Sequence, residues 1–360
     1  MQALLKDVVT LSDNTYHNAF TDCCFWHGKY YVAYRRAMSH NIVPPGDIVV
    51  CTLPIPRAWE YHYDDAEVFH HPIGDLRDPK FLATPDVLYL ICGVYLPDQG
   101  IHHDRPPVLM PTSVENILET HITYTTDGTT WSPLFPILRA QYWGWSAVAL
   151  ASSYALASYH IGVAGDTTSI ALWTSVSPLG LALRGLIYDA GSTEHTGKTL
   201  RYPHSETSEP VLWYDAETAL LGCCIRTEDV MEIGYGRWPY NPSEWRWHCT
   251  KKHIHPSAIL QTDHGLLLAG RDVEKYRTGM LDAGGKHPLS APKPTTCLYH
   301  LDGRTITKLL TLPSGGDTGY AGLAHGPEPD TMLVSYYTSH EVPIELPGAQ
   351  VSLATVRLAP

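Results

Sequence analysis

Short apolar runs broken by Gly, Pro and Asp dominate this chain, and long stretches with helical periodicity are hard to find. One unit recurs: an apolar strand, a polar turn, then a second apolar strand. It reads as "CCFWHGKYYVAY", "KFLATPDVLYLICGV", "AVALASSYALASYH", "PVLWYDAETALLGCCI", "SAILQTDHGLLLAG" and "AGLAHGPEPDTMLVSYY". With turns at His27, Pro85, Ser152, Tyr214, Asp263 and Gly326, the steps are 58, 67, 62, 49 and 63 residues. Six units of about sixty residues fill the 360-residue chain. Such a period predicts an all-β fold, a six-bladed β-propeller whose blades are small antiparallel sheets around one axis. A single blade cannot bury its own faces, so residues 1–360 are expected to form one domain.

Ring closure is also predicted. After the sixth hairpin only "QVSLATVRL" remains, one strand short of a four-stranded blade, while "ALLKDVVTL" precedes the first hairpin with no blade of its own. Pairing the N-terminal strand with the C-terminal one in the last blade would hide two sheet edges.

Composition narrows the partners. The 25 basic and 37 acidic residues leave a net charge of −12, which argues against nucleic acid as the ligand, because phosphate binding needs clustered Lys and Arg. No run approaches the ~18 apolar residues of a membrane span. The start, "MQALLKDVVTL", lacks the basic and apolar regions of a signal peptide, so a reduced, cytoplasmic protein is the expectation. Eight cysteines without a C-x-x-C pair read as small buried thiols, not a disulfide frame.

In a propeller, the start of each blade's first strand and the end of its second lie at the same rim. That rim collects "HNAFTD" (17–22), "DLRDPK" (75–80), "YWGWS" (142–146), "SETSEP" (205–210), "HIHPS" (253–257) and "GDTGYAG" (316–322) from the first strands. From the second strands it collects "RRAMSH" (35–40), Tyr95, His160, Arg226, Arg271 and "YYTSHE" (336–341). The predicted pocket holds Asp22, Asp78, Glu209 and Asp317 with Arg35, Arg77, Arg226 and Arg271. It adds Tyr320, His17, His40 and His340, and Trp143 or Trp145 offers an apolar face for a sugar ring. Such a set suits an anionic or polyhydroxylated ligand, since arginine forks bind carboxylates through two parallel hydrogen bonds. Bland roles compete: Asp78 beside Arg77 also reads as a pair tying blades, and Asp22 as a turn cap. The histidines show no H-E-x-x-H or comparable spacing, so neither a metal nor another cofactor is expected.

The same stretches, with "SEPVLW", "LAGR", "LTLPSGGDTGYAGL" and "VSYYTSHE", resemble sialidase-like (BNR-type) proteins of the six-bladed sialidase superfamily across nearly the whole chain. An Asp-box-like turn, "TYTTDGTTW" (123–131), is similar to the superfamily's structural turn. The resemblance implies a tyrosine nucleophile assisted by a glutamate, an aspartate as acid/base, and three arginines on a substrate carboxylate. Tyr320, Glu209, Arg226 and Arg271 match these positions, and Asp22, Asp78 and Asp317 are all eligible as the acid. The match fails at the first blade, where "HNAFTD" replaces the family's F/Y-R-I-P arginine; Arg35, Arg36 or Arg77 would have to stand in. The implied activity is therefore an exo-acting glycoside hydrolase on an acidic or other non-sialic sugar. A lyase using His17, His40 or His340 with Tyr320 on a uronate is the alternative, and a non-catalytic glycan-binding propeller is the third reading.

Overall fold

The computed structural model describes residues 1–12, 15–41, 44–54, 66–96, 117–161, 167–190, 207–227, 230–239, 244–273, 293–340 and 348–359. They form six four-stranded antiparallel sheets. Blade 1 contains β2 (His17–Trp26), β3 (Lys29–Ala37), β4 (Asp47–Pro54) and β5 (Glu67–Phe69). Blade 2 follows with β6 (Asp75–Ala83), β7 (Leu88–Leu96), β8 (Ile117–Thr125) and β9 (Phe135–Pro136). Blade 3 is β10 (Tyr142–Ala149), β11 (Tyr154–Ile161), β12 (Thr167–Ser175) and β13 (Ala182–Asp189). Blade 4 is β14 (Thr207–Asp215), β15 (Leu220–Thr227), β16 (Met231–Arg237) and β17 (Arg246–Cys249). Blade 5 is β18 (Ile254–Thr262), β19 (Gly265–Asp272), β20 (Thr295–Asp302) and β21 (Thr305–Thr311).

Blade 6 takes β22 (Thr318–His325), β23 (Thr331–Thr338) and β24 (Gln350–Ala359), and its fourth strand is β1 (Gln2–Thr10). β1 runs antiparallel to β24 from Gln2 opposite Ala359 to Thr10 opposite Ser352, which is the closure read from the two ends of the chain. Each of the six hairpins joins the first two strands of a blade. The fourth turn falls after Asp215, slightly beyond Tyr214, because alternation continues through "LWYD" before the polar turn.

The ring is held from its inside. Each first strand touches the first strands of both neighbouring blades, with β22 meeting β2. Side-chain hydroxyls and tryptophans stitch these seams. Thr21 Oγ1 donates to the Tyr320 carbonyl at 2.9 Å, and the Ala321 amide donates to Ser257 Oγ at 3.0 Å. Trp26 Nε1 donates to the Thr84 carbonyl at 2.8 Å, and Trp247 Nε1 to that of Ile187 at 2.7 Å. Apolar faces fill the space between blades, as where Val32 and Tyr34 of blade 1 meet Leu333, Tyr337 and Leu353 of blade 6. All eight cysteines are free thiols, six of them buried. Among the described residues no helix is long and apolar enough to cross a membrane.

Every first strand carries a register break: between Ala19 and Asp22, Arg77 and Lys80, Gly144 and Ser146, Ser208 and Val211, Pro256 and Ala258, and Gly319 and Gly322. Such bulges kink a strand and re-aim its side chains. Four of the displaced residues have left-handed backbones despite carrying a Cβ: Phe20 (φ 57°), Asp78 (φ 51°), Glu209 (φ 57°) and Tyr320 (φ 42°). Each such conformation costs about 1–2 kcal/mol for an L-residue.

The closure makes a clear expectation. Deleting residues 1–10 leaves the β24 edge unpaired, so the truncated chain should melt at lower temperature and self-associate, read by thermal denaturation and light scattering. A truncated chain as stable and monodisperse as the parent would show that β1 does not close the ring.

Candidate functional site

The six bulges bring Phe20, Asp78, Trp145, Glu209, Ser257 and Tyr320 to equivalent places around the axis. Tyr320 sits at their centre. Its ring lies 5.1 Å edge-on from Phe20 and 5.4 Å from Trp145, and its Oη donates to Glu209 Oε1 at 2.7 Å. Arg226 Nη1 donates to the same oxygen at 2.6 Å, so one carboxylate oxygen joins phenol and guanidinium. The Arg271 guanidinium carbon lies 5.3 Å from the Tyr320 ring centre, and Arg271 is steadied by the Thr318 carbonyl and by Tyr337 Oη at 3.0 Å.

Burial and the neighbouring Glu209 charge raise the Tyr320 pKa well above that of a free phenol, while Arg226 and Arg271 oppose the rise. Tyr320 is thus a neutral phenol that needs a base, and Glu209 is already in place to take its proton. His255, which starts blade 5, is kept neutral by burial and by the same two arginines.

Of Arg35, Arg36 and Arg77, Arg77 lies nearest the axial Phe20 ring. Its guanidinium carbon lies 4.7 Å from the Phe20 ring centre and 5.7 Å from that of Tyr95. Burial lowers its pKa, but Asp75, Asp78 and the tyrosines Tyr95 and Tyr320 outweigh that and hold it charged. Arg36 instead faces Asp47 at 3.8 Å. Arg35 corrects the sequence reading: it is 0 % exposed, with Nε and Nη2 on Asp75 Oδ1 at 3.0 and 2.7 Å and further bonds to the carbonyls of Ser39 and Asn41. Its guanidinium is spent on these groups, and it braces the loop after β3 against blade 2.

Two further expectations change. Trp143 and Trp145 are each 1 % exposed, Trp145 because the β10 bulge turns it to the axis and Trp143 because it packs over Gly93 and Tyr95, so neither presents a free face to a sugar. Trp145 instead underlies Tyr320, with Lys80 Nζ 5.1 Å from its ring centre. Asp22 accepts the Phe81 amide at 2.7 Å and ties blade 1 to blade 2; burial raises its pKa, against the pull of Lys80. Lys80 itself reaches from blade 2 across the axis to the Ser257 carbonyl of blade 5 at 3.3 Å, closing the channel below the pocket.

Asp78 differs. It is 8 % exposed and has no hydrogen-bond partner among the described residues. Burial pushes its carboxyl up to about 6, against Arg77 and Lys80, with Glu209 adding to the rise.

At the outer rim Asp317 gathers the histidines. Its Oδ2 accepts His17 Nε2 at 3.0 Å and His40 Nδ1 at 2.8 Å, while Oδ1 accepts the Tyr337 hydroxyl at 2.8 Å, with Arg271 Nη2 3.9 Å away. Burial pushes the Asp317 carboxyl up, but the hydrogen bonds from His17 and His40 outweigh it and hold the pKa well below the ordinary range. Burial keeps His17 neutral more than Asp317 can charge it. The ligand-type atoms of His17, His40 and Asp317 lie within 4.8 Å of one another, the reach of a metal set. With one carboxylate shared by two imidazoles, and Arg271 beside it, the local charge suits a hydrogen-bond relay better than a divalent ion. His340 stays in its own loop, exposed, with Nδ1 2.8 Å from Thr338 Oγ1. Glu341 lies outside the described residues.

Sequence reasoning placed Phe20, Lys80 and Tyr337 within the rim segments but assigned none of them a role. Aligning the six first-strand segments on their central residue would have put Phe20 beside Tyr320 and Glu209, and that alignment was the available signal.

Asp78 generates a stability prediction. Its folded pKa is raised from 3.8 to about 6, so the folded state holds the proton more tightly and stability falls as pH rises through that window. Asp78→Asn mimics the neutral acid. It should be roughly 1–3 kcal/mol more stable than the parent at pH 7.5, with the gain vanishing below about pH 4. Urea denaturation at both pH values checks this; an unchanged or lower midpoint at pH 7.5 would contradict the burial argument.

No family model and no curated protein matches the chain. Solved structures do. A Trypanosoma rangeli sialidase in complex with the inhibitor DANA superposes with a TM-score of 0.61 at 9% identity, covering 98% of this chain and 58% of its own. A phage phi92 endosialidase gives 0.62 at 9% identity, covering 98% and 69%. A Hadza microbial sialidase gives 0.61 at 11% identity, covering 95% and 66%. The chain thus spans little more than half of the trypanosomal enzyme and about two thirds of the other two. At such identities the likeness is one of architecture, and it agrees with the blades, their closure and the inner ring: this protein is built on the sialidase-like six-bladed propeller fold.

Proposed function

We propose that the axial pocket is the active site of a retaining glycoside hydrolase acting on the terminal, carboxylate-bearing sugar of a glycan other than sialic acid. The observation that carries the reading is the 2.7 Å hydrogen bond from Tyr320 Oη to Glu209 Oε1, made by two residues held in strained backbones on blades 6 and 4 of the ring. A neutral phenol is a weak nucleophile, and a carboxylate already receiving its proton is what attack requires. Tyrosine nucleophiles are a recognised exception to the two-carboxylate scheme. The solved sialidases of the same fold support the reaction class.

Arg226, Arg271 and Arg77 each face Tyr320 closely enough to perturb its charge or be perturbed by it. Together they provide an anion clamp around the nucleophile. Its third arm comes from blade 2, displaced from the first-blade place that Phe20 fills, and this shift is the reason for reading the sugar as acidic but not sialic. Asp78 faces the same space and suits a hydroxyl of the bound sugar, as acceptor when ionised and donor when protonated.

Tyr320→Phe is expected to lower kcat by more than about 10³-fold, and Glu209→Gln by about 10²–10⁴-fold, with far-UV circular dichroism unchanged. Release of aryl alcohol from a panel of aryl uronides and ketosides reads both. Turnover at parent rates in either variant would refute the nucleophile assignment. Arg77→Met should raise KM for an acidic glycoside by about tenfold or more, and leave a neutral one unaffected. An equal effect on both would remove Arg77 from the clamp. An unsaturated, ultraviolet-absorbing product from the same panel would identify the lyase instead.

A further inference from the structure

A hydrolase of this kind needs a proton donor for the departing oxygen, and among the described residues each aspartate of the pocket is either engaged or buried. A terminal sugar seated over Tyr320 directs its remaining glycosidic bond outward. Asp22 is spent on the Phe81 amide, Asp317 carries two imidazoles and a phenol, and Asp78 lies 8 % exposed deep beside Arg77. His40 occupies the outer position. Its side chain is 52% exposed, its ring stands edge-on to Phe20 at 5.3 Å, and Phe20 in turn stands edge-on to Tyr320 at 5.1 Å. One aromatic ring therefore stands between His40 and the nucleophile. Nδ1 of His40 is bound to Asp317 Oδ2 at 2.8 Å, and Nε2 has no partner among the described residues.

Resting on the hydrolase reading above, we propose that the His40–Asp317 pair, not a carboxylic acid, is the acid/base of this site, with His17 and Tyr337 positioning Asp317. In the first step Tyr320 Oη bonds to the anomeric carbon and passes its proton to Glu209. The glycosidic C–O bond breaks, and the leaving oxygen takes the proton of His40 Nε2. In the second step water attacks the same carbon and gives a proton to His40 Nε2. Tyr320 leaves with its bonding pair and recovers its proton from Glu209. Asp317 stays ionised throughout, accepting Nδ1–H and stabilising the imidazolium, the part a buried aspartate plays beside a catalytic histidine. His17 and the Tyr337 hydroxyl fix which way its two oxygens face.

The test separates leaving groups. Aryl alcohols such as 4-nitrophenol depart without help, whereas an alkyl or sugar oxygen does not. The probes are 4-nitrophenyl and methyl glucuronides and galacturonides, and the 4-methylumbelliferyl and methyl α-ketosides of a nonulosonic acid. On whichever pair the parent enzyme turns over, His40→Gln should lose less than about tenfold in kcat/KM for the aryl glycoside and about 10²–10⁴-fold for the methyl glycoside. Asp317→Asn should show the same split at smaller size, and Asp78→Asn none. His40 is surface-exposed, so its variant should melt like the parent, and a thermal scan confirms that loss of activity is not loss of fold. Equal losses on both leaving groups in His40→Gln would overturn the proposal, as would the split appearing in Asp78→Asn. Either result leaves the Tyr320–Glu209 reading standing. A parent enzyme inert toward every aryl probe would instead overturn that reading, and this inference with it.

Discussion

Everything at the axis depends on the break in register that each first strand suffers where it reaches the rim. A regular strand would point alternate side chains into the seams between blades and leave the axis lined by small groups. The bulge inserts an extra residue, turns it inward, and in four blades forces a left-handed backbone on Phe20, Asp78, Glu209 or Tyr320. None of these is a glycine, so the conformation is paid for by the surrounding ring, whose seams hold each strand from both sides. Tyr320 and Glu209, which share a hydrogen bond, come from blades two places apart, with blade 5 between them. Only a closed ring brings them together, which links the strand pairing of β1 with β24 to the geometry of the pocket.

The second organising feature is charge. An acidic chain concentrates Arg77, Arg226 and Arg271 around one phenol, and each arginine is anchored by different means. Arg226 is held by Glu209, Arg271 by Tyr337 and the Thr318 carbonyl, and Arg77 by Asp75 and the His40 carbonyl. Buried acids compensate: Asp75 serves the structural Arg35, and Asp78 lies beside Arg77 with a carboxyl that burial pushes up to about 6. Lys80 and Asp22 close the channel beneath, in a dry setting where separated charges would be costly. The three arginines thus converge on Tyr320, and Lys80 spans the axis beneath them.

Much of this was legible in the chain. Apolar hairpins at a sixty-residue period required six blades, because each hairpin has two faces and no partner of its own. The unpaired strand at either end required closure. Glu209 and Arg226, 17 residues apart across one hairpin, could be paired from sequence because the turn between them is short and the register follows. Arg35 misled because it shares a rim segment with Arg36 and His40, and nothing local shows that it turns inward to Asp75 of the next blade. The tryptophans misled similarly, since a one-residue bulge decides whether an indole faces a ligand or the core.

The sequence by itself therefore determined the architecture: blade number, hairpin boundaries, the shared rim and the residue types that crowd it, all consequences of period-two patterning and turn chemistry. The tertiary structure alone decided which of those side chains face one another. Tyr320 with Glu209, Arg77 beside Phe20, Asp317 between His17 and His40, and Lys80 across to Ser257 are contacts between residues 59 or more positions apart or held by separate blades. Their meeting rests on the angle at which blades pack and on the bulges that turn each first strand. Those are properties of the closed ring, and no window of the chain contains them.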